Sequence, residues 1–370
     1  MEYRFIVSGG GTSGHINPAI TIADTLKRRL AERGDTCEIV FTGRQEGLEG
    51  ELVPKAGYKL IPITAKPFPM KPNKKAFEAN KAIMQGRREC RKIIKEFNPD
   101  AVIGTGGYVC APLLIEAHIH KIPVLIHEAN AFPGRANRLL SRRAALVMTG
   151  FPGLEKTFRT ARRVVCTGNP VRKVVLDAGY EQSRKNLGLS DDELLVFAMG
   201  GSLGAKTIND FIRQAAGDPE LSDVKFVLST GKQQTDHDAD KTDIPANLDM
   251  REYIENPSDY LCGADIAITR AGAVTCAEVA CIGACSVMIP YPFAAQDHQT
   301  FNARSFFDVG GNMMFSDQEV KDGKLLPALK ELLKDKQKRM SMRENAKKLA
   351  VRDCDDRIFE EIMGVVSKDG

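Results

Sequence analysis

The sequence predicts an α/β protein built from two doubly wound domains that face each other across a cleft. Short runs rich in Val and Ile alternate with longer amphipathic stretches, which is the βαβ rhythm of a parallel sheet covered by helices on both faces. The rhythm occurs once in each half of the 370 residues, a length that suits two domains of about 150 to 200 residues. Each half begins with a strand that runs into a glycine-rich loop and then into a helical pattern.

The first half contains strand-like runs separated by helical patterns, the first of which begins at Pro18. These runs are residues 4–8, 37–43, 58–63, 101–104, 123–127, 146–149 and 164–168. The segment Asn169-Pro170-Val171-Arg172 then reads as a crossover between domains. We therefore predict an N-terminal domain at residues 1–166.

The second half restarts the same rhythm. Its strand-like runs are residues 194–199, 225–229, 250–254, 266–269 and 286–291, with a helix predicted at about 205–216. Helical patterns at 325–333, 340–350 and 357–366 end the chain. We predict a C-terminal domain at residues 167–350, and a final helix within 351–370 that packs back on the N-terminal domain.

Composition narrows the classes of protein to which the chain can belong. No apolar run approaches the roughly 18 residues of a membrane span, and Met1 passes into a strand rather than a signal peptide. Nine cysteines, an odd number at mostly apolar positions, fit a reducing compartment better than a disulfide framework. Cys276, Cys281 and Cys285 lack a fourth ligand, which favours packing over zinc. We therefore expect a protein made and kept in the cytoplasm.

The net charge of +4 is unevenly distributed. Residues 1–166 carry 27 Lys and Arg against 15 Asp and Glu, whereas the remainder carries 25 against 33. The densest part is residues 66–95, where ten basic residues face only Glu78 and Glu89. Such a segment could face nucleic acid, anionic lipid or water. Few aromatic residues and no recognisable nucleic-acid module disfavour nucleic acid.

Two glycine-rich loops follow strands in the same way in the two halves. They are Gly9-Gly10-Gly11-Thr12-Ser13-Gly14-His15 and Gly200-Gly201-Ser202-Leu203-Gly204. Glycines between a strand and a helix let backbone N–H groups approach an anion at the positive end of the helix. The pair therefore predicts two phosphate-bearing ligands, one in each half. The spacing is not the dinucleotide fingerprint, and either loop alone could be an ordinary tight turn.

Other predicted strands also end in polar loops. They are residues 104–108 (GTGGY), 127–134 (HEANAFPG), 268–278 (ITRAGAVTCAE) and 290–302 (PYPFAAQDHQTFN). In doubly wound sheets, ligands bind outside the carboxyl ends of the strands. These loops and the two glycine loops therefore predict where the ligands lie.

Seven phrases span roughly the first 310 residues in the order GGGTSGHINPA, GTGGYV, HEANAFPGRANR, GNPVR, GGSLGAK, TRAGAVTCAE and DHQTFNA. Together they resemble one enzyme family, the MurG-type glycosyltransferases. The resemblance implies Rossmann-like domains of the glycosyltransferase-B type and an inverting mechanism. It implies UDP-N-acetylglucosamine as donor and undecaprenyl-diphosphate-MurNAc-pentapeptide, lipid I, as acceptor. The product would be lipid II of peptidoglycan synthesis, made by a peripheral enzyme at the cytoplasmic face of the bacterial cell membrane.

By the same resemblance, the second domain holds the donor. Ser202 matches a contact beside the UDP phosphates, and Arg172 of GNPVR matches a basic donor contact that suits a diphosphate. The backbone of Ile254 matches the group that holds the uracil. Glu278 is placed to accept from both ribose hydroxyls, and Gln299 matches the side chain that reads the sugar hydroxyls. The segment around the nucleoside matches Ala273, Val274, Thr275, Cys276, Ala277 and Glu278. Taken without these phrases, Arg172 would be a solvated surface residue and Glu278 a helix-face carboxylate.

The first domain, by resemblance, supplies the acceptor side. The positions that close over the transferred sugar match Thr12, Ser13, Gly14 and Asn130. His15 is the best candidate for the base that deprotonates the attacking 4-OH, because a helix start disfavours imidazolium and so favours the form that accepts a proton. The competing interpretation is that His15 only caps the loop or contacts phosphate. Glu128 and Asp297 are weaker candidates.

Two positions depart from the family pattern. Ser13 stands where a second glycine is usual, and Ala129 stands where Gln usually precedes Asn130. Ser13 still offers its N–H and is tolerated unless the position needs a positive φ. Ala129 removes an amide that would help to place the acceptor or the sugar.

No metal and no cofactor are expected. No Asp-x-Asp pair follows a predicted strand of the cleft, because Asp236-His237-Asp238 falls in a polar loop. Helix N-termini and Arg172 would then stabilise UDP in place of a divalent ion, and activity should survive a chelator.

A lipid acceptor requires the enzyme to reach a bilayer. Lys66-Pro67-Phe68-Pro69-Met70-Lys71, followed by Lys74-Lys75, mixes apolar side chains with cations and suits an anionic membrane surface. A solvated helix face is the alternative. Two other functions also stay open, namely a lipid glycosyltransferase with another acceptor and a UDP-N-acetylglucosamine epimerase of similar architecture.

Overall fold

The computed structural model describes residues 1–67, 74–232 and 244–366. The chain divides into two compact units, of which the first contains Met1–Val171 and resumes at Asp353, and the second is Arg172–Arg352. Residues 68–73 of the predicted membrane segment lie outside the described ranges, as do Asp236, His237 and Asp238.

The first unit is built on a sheet of seven parallel strands in the order β3-β2-β1-β4-β5-β6-β7. The strands are β1 (Glu2–Ser8), β2 (Thr36–Gly43), β3 (Lys59–Pro62), β4 (Ala101–Gly104), β5 (Val124–Glu128), β6 (Leu146–Thr149) and β7 (Val164–Cys166). The direction of winding reverses between β1 and β4, which is the position where ligands bind in doubly wound sheets.

Helices cover both faces of this sheet. They are α1 (Ser13–Glu32), α2 (Glu49–Lys55), α3 (Lys74–Phe97), α4 (Cys110–Ile119), α5 (Arg135–Leu140) and, from the end of the chain, α15 (Cys354–Val366). Successive side chains of β1 point to opposite faces of the sheet and so pack in two core layers. Phe5 and Val7 pack in the layer that contains α1 and α15, whereas Ile6 packs in the layer of α3 and α4.

The second unit repeats the plan with six strands in the order β10-β9-β8-β11-β12-β13, and all of the neighbouring pairs are parallel. The strands are β8 (Leu194–Met199), β9 (Val224–Ser229), β10 (Leu248–Arg251), β11 (Ile266–Thr269), β12 (Ser286–Met288) and β13 (Asn312–Met314). The helices are α6 (Lys173–Leu176), α7 (Tyr180–Asn186), α8 (Lys206–Ala216), α9 (Ser258–Gly263), α10 (Ala273–Ile282), α11 (His298–Phe307), α12 (Asp317–Lys321), α13 (Leu325–Lys334) and α14 (Lys336–Lys347). The winding reverses between β8 and β11.

The predicted fold class of two doubly wound α/β domains is confirmed, although several elements differ from the prediction in their bounds or were not predicted. Strand β13 has only three residues and carries no apolar run that a pattern could detect. Strand β10 begins at Leu248 and ends at Arg251, earlier than the predicted 250–254. Helix α1 begins at Ser13 rather than at Pro18, because the carbonyl of Thr12 already accepts from the N–H groups of His15 and Ile16.

Candidate active site

The two sheets place four of the predicted loops at their points of reversal. In the first unit, these are the loop after β1, which contains Gly9 to Thr12, and the loop after β4, which contains Thr105 to Tyr108. In the second unit, they are the loop at residues 200–204 after β8 and the loop at residues 270–272 after β11. The topology therefore brings together loops that lie about 70 to 95 residues apart in sequence.

The loops after β1 and β4 are joined by direct contacts. The Thr105 hydroxyl donates to the carbonyl oxygen of His15 at 2.7 Å. A side chain at Gly9 would collide with this pair, because its Cβ would lie 2.2 Å from the Thr105 Oγ1 and 2.7 Å from the His15 oxygen. Gly11 has a φ of +84°, which glycine adopts without the strain of a side chain. Glycine is therefore needed at both positions for this packing.

His15 lies in the first turn of α1, with its imidazole against the loop after β4. A Cβ at Gly106 would come within 2.7 Å of the Nδ1 of His15, and one at Gly107 within 3.4 Å of its Cδ2. Both glycines have positive φ, +117° and +81°. The helix has no acidic residue in its own first turn. The absence of side chains at these two glycines thus leaves the space that the ring occupies.

The residues before His15 are accessible. Thr12 and Gly14 are exposed, and Ser13 is partly exposed at the start of α1. Ser13 is helical and is not among the residues with positive φ, so the glycine of the family pattern is not required for its backbone conformation.

Asn130 lies in a loop after β5 that is held by Glu128. The buried carboxylate of Glu128 accepts from the backbone N–H of Asn130 at 3.0 Å and from its Nδ2 at 3.2 Å. It also accepts from the N–H of Gly134 and the Nδ2 of Asn137, both at 2.9 Å. A carboxylate with four donors is engaged in shaping the loop, which argues against Glu128 as a base. The carbonyl of Ala129 accepts from the Nδ2 of Asn169 at 2.9 Å, so this position is used through its backbone.

The second glycine loop begins α8. Gly201 and Gly204 have φ values of +88° and +80°. Gly231 lies just after the neighbouring strand β9, and a Cβ at this position would lie 2.1 Å from the nitrogen of Gly204. Ser202 is exposed, and its carbonyl accepts from the N–H of Lys232 at 3.2 Å. Helix α8 has no side-chain cap and no acidic residue in its first turn, so its N-terminus can receive an anion.

Arg172 and Glu278 form an ion pair within the second unit. The Nη2 of Arg172 lies 3.3 Å from the Oε1 of Glu278. The Arg172 side chain is 45% exposed, whereas that of Glu278 is 7% exposed. Burial raises the pKa of Glu278, and the nearby charge of Arg172 opposes this shift. Two residues 106 positions apart, both predicted to contact the donor, are therefore adjacent.

Gln299 holds the ends of two strands. Its Oε1 accepts from the N–H of Ala271 at 3.2 Å and from that of Tyr291 at 3.0 Å. The Nδ2 of Asn302 donates to the carbonyl of Ala271 at 3.0 Å. Since neither bond of Gln299 involves its Nε2, that nitrogen is the group through which the side chain could contact a sugar. Asp297, the other carboxylate considered as a base, is exposed and accepts from the Thr300 hydroxyl at 2.6 Å.

The start of α10 contains the predicted nucleoside segment. Ala273 and Cys276 are buried, and Val274, Thr275 and Ala277 are partly exposed. Burial raises the pKa of the Cys276 thiol, so it stays protonated and packs as an apolar group. Ile254 is partly exposed in the segment that follows β10.

Two features near these loops had no signal in the sequence. Glu49 is 1% exposed, and its carboxylate accepts from the N–H of Gly11 at 3.3 Å. Gln296 and Asp297 are consecutive residues with positive φ, +58° and +55°, directly before α11. Both features depend on tertiary packing. A buried carboxylate and a strained turn of this kind recur at functional sites.

A cavity of about 1570 Å³ in the second unit is lined by other residues, among them Arg213, Phe226, Leu248 and Tyr260. None of the residues predicted to contact the donor lines it. It lies against the edge strand β10 and its neighbour β9, away from the loops at the point of reversal. We assign no ligand to it.

Comparison with known proteins identifies the family to which the chain belongs. Residues 5–149 match the Glycosyltransferase family 28 N-terminal domain, and residues 195–358 match the Glycosyltransferase family 28 C-terminal domain. A protein of Acetivibrio thermocellus is 38% identical over 98% of this chain and 98% of its own length. One of Thermoanaerobacter sp. (strain X514) is 37% identical over 99% of this chain and its entire length. Both are named UDP-N-acetylglucosamine--N-acetylmuramyl-(pentapeptide) pyrophosphoryl-undecaprenol N-acetylglucosamine transferase.

The chain belongs to the MurG family of glycosyltransferases. A solved structure, MurG of Acinetobacter baumannii, matches with a TM-score of 0.76 and 28% identity over 98% of this chain and 99% of that one. A UDP-GlcNAc 2-epimerase of Neisseria meningitidis matches with a TM-score of 0.65 over 98% of this chain and all of that one, at 16% identity, and shares the fold alone. Among the described residues of this MurG-family chain, no helix is long and apolar enough to cross a membrane.

Proposed function

We propose that the chain transfers N-acetylglucosamine from UDP-N-acetylglucosamine to the 4-OH of the muramyl residue of lipid I, giving lipid II. One observation carries this proposal: relatives that bear this activity in their name align over nearly the whole chain. Four of the seven phrases, GGGTSGHINPA, GTGGYV, GGSLGAK and TRAGAVTCAE, also lie at the points where the two sheets reverse. The chain is therefore a hexosyltransferase of peptidoglycan synthesis.

The second unit holds the nucleotide sugar in this proposal. Backbone N–H groups at the Ser202 loop and the start of α8 receive the diphosphate, and Arg172 adds a positive charge. Glu278 accepts hydrogen bonds from the ribose hydroxyls, Gln299 contacts the sugar through its Nε2, and the backbone of Ile254 holds the uracil. When UDP leaves, these donors stabilise the growing negative charge on its phosphate.

The first unit supplies the acceptor side in this proposal. Thr12, Ser13, Gly14 and Asn130 contact the transferred sugar. His15 takes the proton of the 4-OH as this oxygen attacks the anomeric carbon from the face opposite UDP. Attack from that face inverts the configuration, and the proton leaves on the imidazole while UDP leaves with the bonding electron pair.

The decisive experiment supplies the full chain with UDP-N-acetylglucosamine and a short-chain lipid I analogue. We expect a lipid-linked disaccharide and free UDP in equal amounts. If the lipid I analogue gave no disaccharide, and free UDP were released only when another polyprenyl-diphosphate sugar was supplied, the acceptor would be a different one. Appearance of the 2-epimer of the nucleotide sugar without lipid product would assign an epimerase.

Helix α3 supports a further proposal, that the enzyme works as a peripheral protein on the cytoplasmic face of an anionic membrane. Phe77 and Met84 are 75% and 51% exposed and lie on one face of the helix, seven residues apart. Lys81 and Arg88 are exposed on the same stripe. Apolar side chains interleaved with cations suit the boundary between lipid headgroups and acyl chains.

Vesicle sedimentation tests this membrane surface. Phe77→Ser with Met84→Ser, and separately Lys81→Gln with Arg88→Gln, should each weaken binding to anionic vesicles. Loss of the two cations should cost roughly thirtyfold, at about 1 kcal/mol for each charge near the surface. Met340, which is 52% exposed on the second unit, provides the control Met340→Ser. Binding that survives both double variants would place the membrane contact elsewhere.

A further inference from the structure

Glu49 is a buried charge beside the glycine loop that precedes His15. It is the first residue of α2 and is 1% exposed. Its Oε2 accepts from the N–H of Gly11 at 3.3 Å, and its Oε1 accepts from the N–H of Arg44 at 3.1 Å. Removing a carboxylate from water is costly unless its oxygens are hydrogen-bonded, and here backbone groups from two separate segments supply these bonds.

Three glycines shape the space around this carboxylate. A Cβ at Gly10 would lie 2.8 Å from the Oε1 of Glu49, and one at Gly47 would lie 2.6 Å from its Cδ. A Cβ at Gly43 would lie 2.7 Å from the Cγ. Each distance is shorter than carbon and oxygen atoms tolerate, so a side chain at any of these positions would displace the carboxylate. The site therefore fits Glu49 closely on three sides.

A second set of contacts connects Glu49, through Arg44, to the loop after β4 that contacts the imidazole of His15. The Nη1 of Arg44 donates to the Tyr108 hydroxyl at 2.8 Å, which raises the pKa of the guanidinium. A Cβ at Gly11 would lie 3.5 Å from the Cε1 of Tyr108. Gly11 is thus held by Glu49 through its N–H and lies against the ring of Tyr108. Tyr108 directly follows the two glycines, Gly106 and Gly107, that lie against the ring of His15.

We propose that Glu49 is a positioning residue for the glycosyl transfer, because it fixes the backbone of the loop at residues 9–12 and through it the imidazole of His15. The inference rests on the proposed function. Only Thr12, Ser13 and Gly14 separate the Gly11 anchor from His15, so a shift of this anchor moves the start of α1. A displacement of about 1 Å at a reacting group can lower turnover by about a hundredfold.

The variant Glu49→Gln tests the proposal with almost no change in shape. One oxygen becomes an NH₂ group, which then faces a backbone N–H and cannot accept from it. We expect kcat to fall by roughly tenfold to a hundredfold. The KM for UDP-N-acetylglucosamine should change less than kcat, because the residues proposed to bind the UDP moiety of the donor lie in the second unit. Glu51→Gln is the control, since Glu51 is exposed in the same helix.

A labelling experiment detects a displacement of the His15 imidazole without measuring turnover. Diethyl pyrocarbonate modifies accessible imidazoles, and mass spectrometry gives the rate at His15 relative to that at the exposed His118. We expect the relative rate at His15 to change severalfold in Glu49→Gln and to stay unchanged in Glu51→Gln. A role limited to stability would lower the melting temperature but would leave both kcat and this ratio unchanged below the melting transition.

Gly47→Ala is the second variant, because its methyl group displaces the carboxylate while keeping the charge. This variant should also lower kcat, and it tests the role of Glu49 if Glu49→Gln does not fold. A folded variant of either kind with wild-type kcat and an unchanged labelling ratio would overturn the inference. If the wild-type chain itself produced no lipid-linked disaccharide, the proposed function would fail, whereas the labelling ratio would still report on the loop.

Discussion

At the scale of single residues, the position of His15 depends on its contacts with the loop after β4. Gly106 and Gly107 provide the space for its ring, and Thr105 binds its carbonyl oxygen. The first turn of α1 adds the positive end of a helix dipole beside the ring.

We therefore expect His15→Ala to lower kcat by roughly a hundredfold or more while leaving the affinity for UDP-N-acetylglucosamine nearly unchanged. Turnover with a lipid I analogue and donor binding by calorimetry measure the two quantities. His118→Ala, at an exposed position on the same unit, is the control. Wild-type turnover in His15→Ala would remove this residue as the base.

Glu278 provides a prediction about pH. Burial raises its pKa above the ordinary value of 4.5, so it takes up a proton at a higher pH than an exposed carboxyl group does. Because the proposed role needs the ionised form, the KM for the donor should rise as pH falls through this raised pKa. Glu278→Gln should raise the donor KM about tenfold at neutral pH and abolish this pH dependence, as steady-state kinetics would measure.

The same shift has a consequence for stability. A folded pKa above the unfolded one means that the native state binds more protons in the interval between the two values, so the free energy of unfolding falls as pH rises through that interval. Glu278→Gln removes this penalty and should raise the melting temperature at neutral pH but not at pH values below the ordinary carboxyl pKa. An equal gain at both pH values would show that ionisation of Glu278 is not the cause.

At the scale of elements, the C-terminal helix α15 belongs to the core of the first unit. Phe359 and Ile362 are fully buried among residues of β1 and α1. The guanidinium carbons of Arg33 and Arg29 lie 4.4 and 5.4 Å from the centre of the Phe359 ring. Glu360 pairs with Arg33 at the surface, where ion pairs contribute little.

Phe359→Ala should lower the free energy of unfolding by about 3 to 5 kcal/mol, because it leaves a cavity and removes a large buried ring. Glu360→Gln, on the next position of the helix, should cost less than about 1 kcal/mol. Circular dichroism suits the measurement because the chain has no Trp. Hydrogen exchange by mass spectrometry should place the loss in the first unit. Equal effects of both variants would show that the ion pairs, rather than the buried ring, fix α15.

At the scale of the whole molecule, one plan occurs twice, with different chemistry at each point of reversal. The loop of the first unit leads to a histidine, and the loop of the second leads to an uncapped helix N-terminus in the same unit as the Arg172–Glu278 pair. Because the proposed donor contacts are backbone N–H groups and Arg172, we expect the donor to bind without a metal ion.

Saturating UDP should therefore protect the second unit selectively from hydrogen exchange, and it should do so equally in the presence of a chelator. At a ligand concentration about 100 times the Kd, the protection should approach 2.7 kcal/mol. Peptides of β2 and β3, at one edge of the sheet in the first unit, provide the internal reference. Protection that disappears in chelator and returns with a divalent ion would contradict the metal-free donor site.

The sequence by itself determined the fold class and the residues that match the family. Val- and Ile-rich runs alternating with helices encode parallel sheets, and glycines after strands encode loops at their carboxyl ends, because both signals are local. The predicted loops at residues 9–15 and 104–108 are adjacent in the first unit. Helix α1 nevertheless begins before Pro18, and the three-residue β13 was missed, since such boundaries depend on tertiary contacts.

Only the tertiary structure decided which side chains meet. Arg172 and Glu278 are 106 residues apart, and their pairing depends on the packing of α6 against α10. Glu128 lies at the end of a strand, where a catalytic base could stand, but its carboxylate accepts four hydrogen bonds that hold its own loop. Glu49 has no distinguishing sequence pattern, because its surroundings combine the nearby Gly43 and Gly47 with Gly10 from a distant loop. Hydrogen bonding and burial join residues that are distant in sequence, and a local pattern contains no information about either.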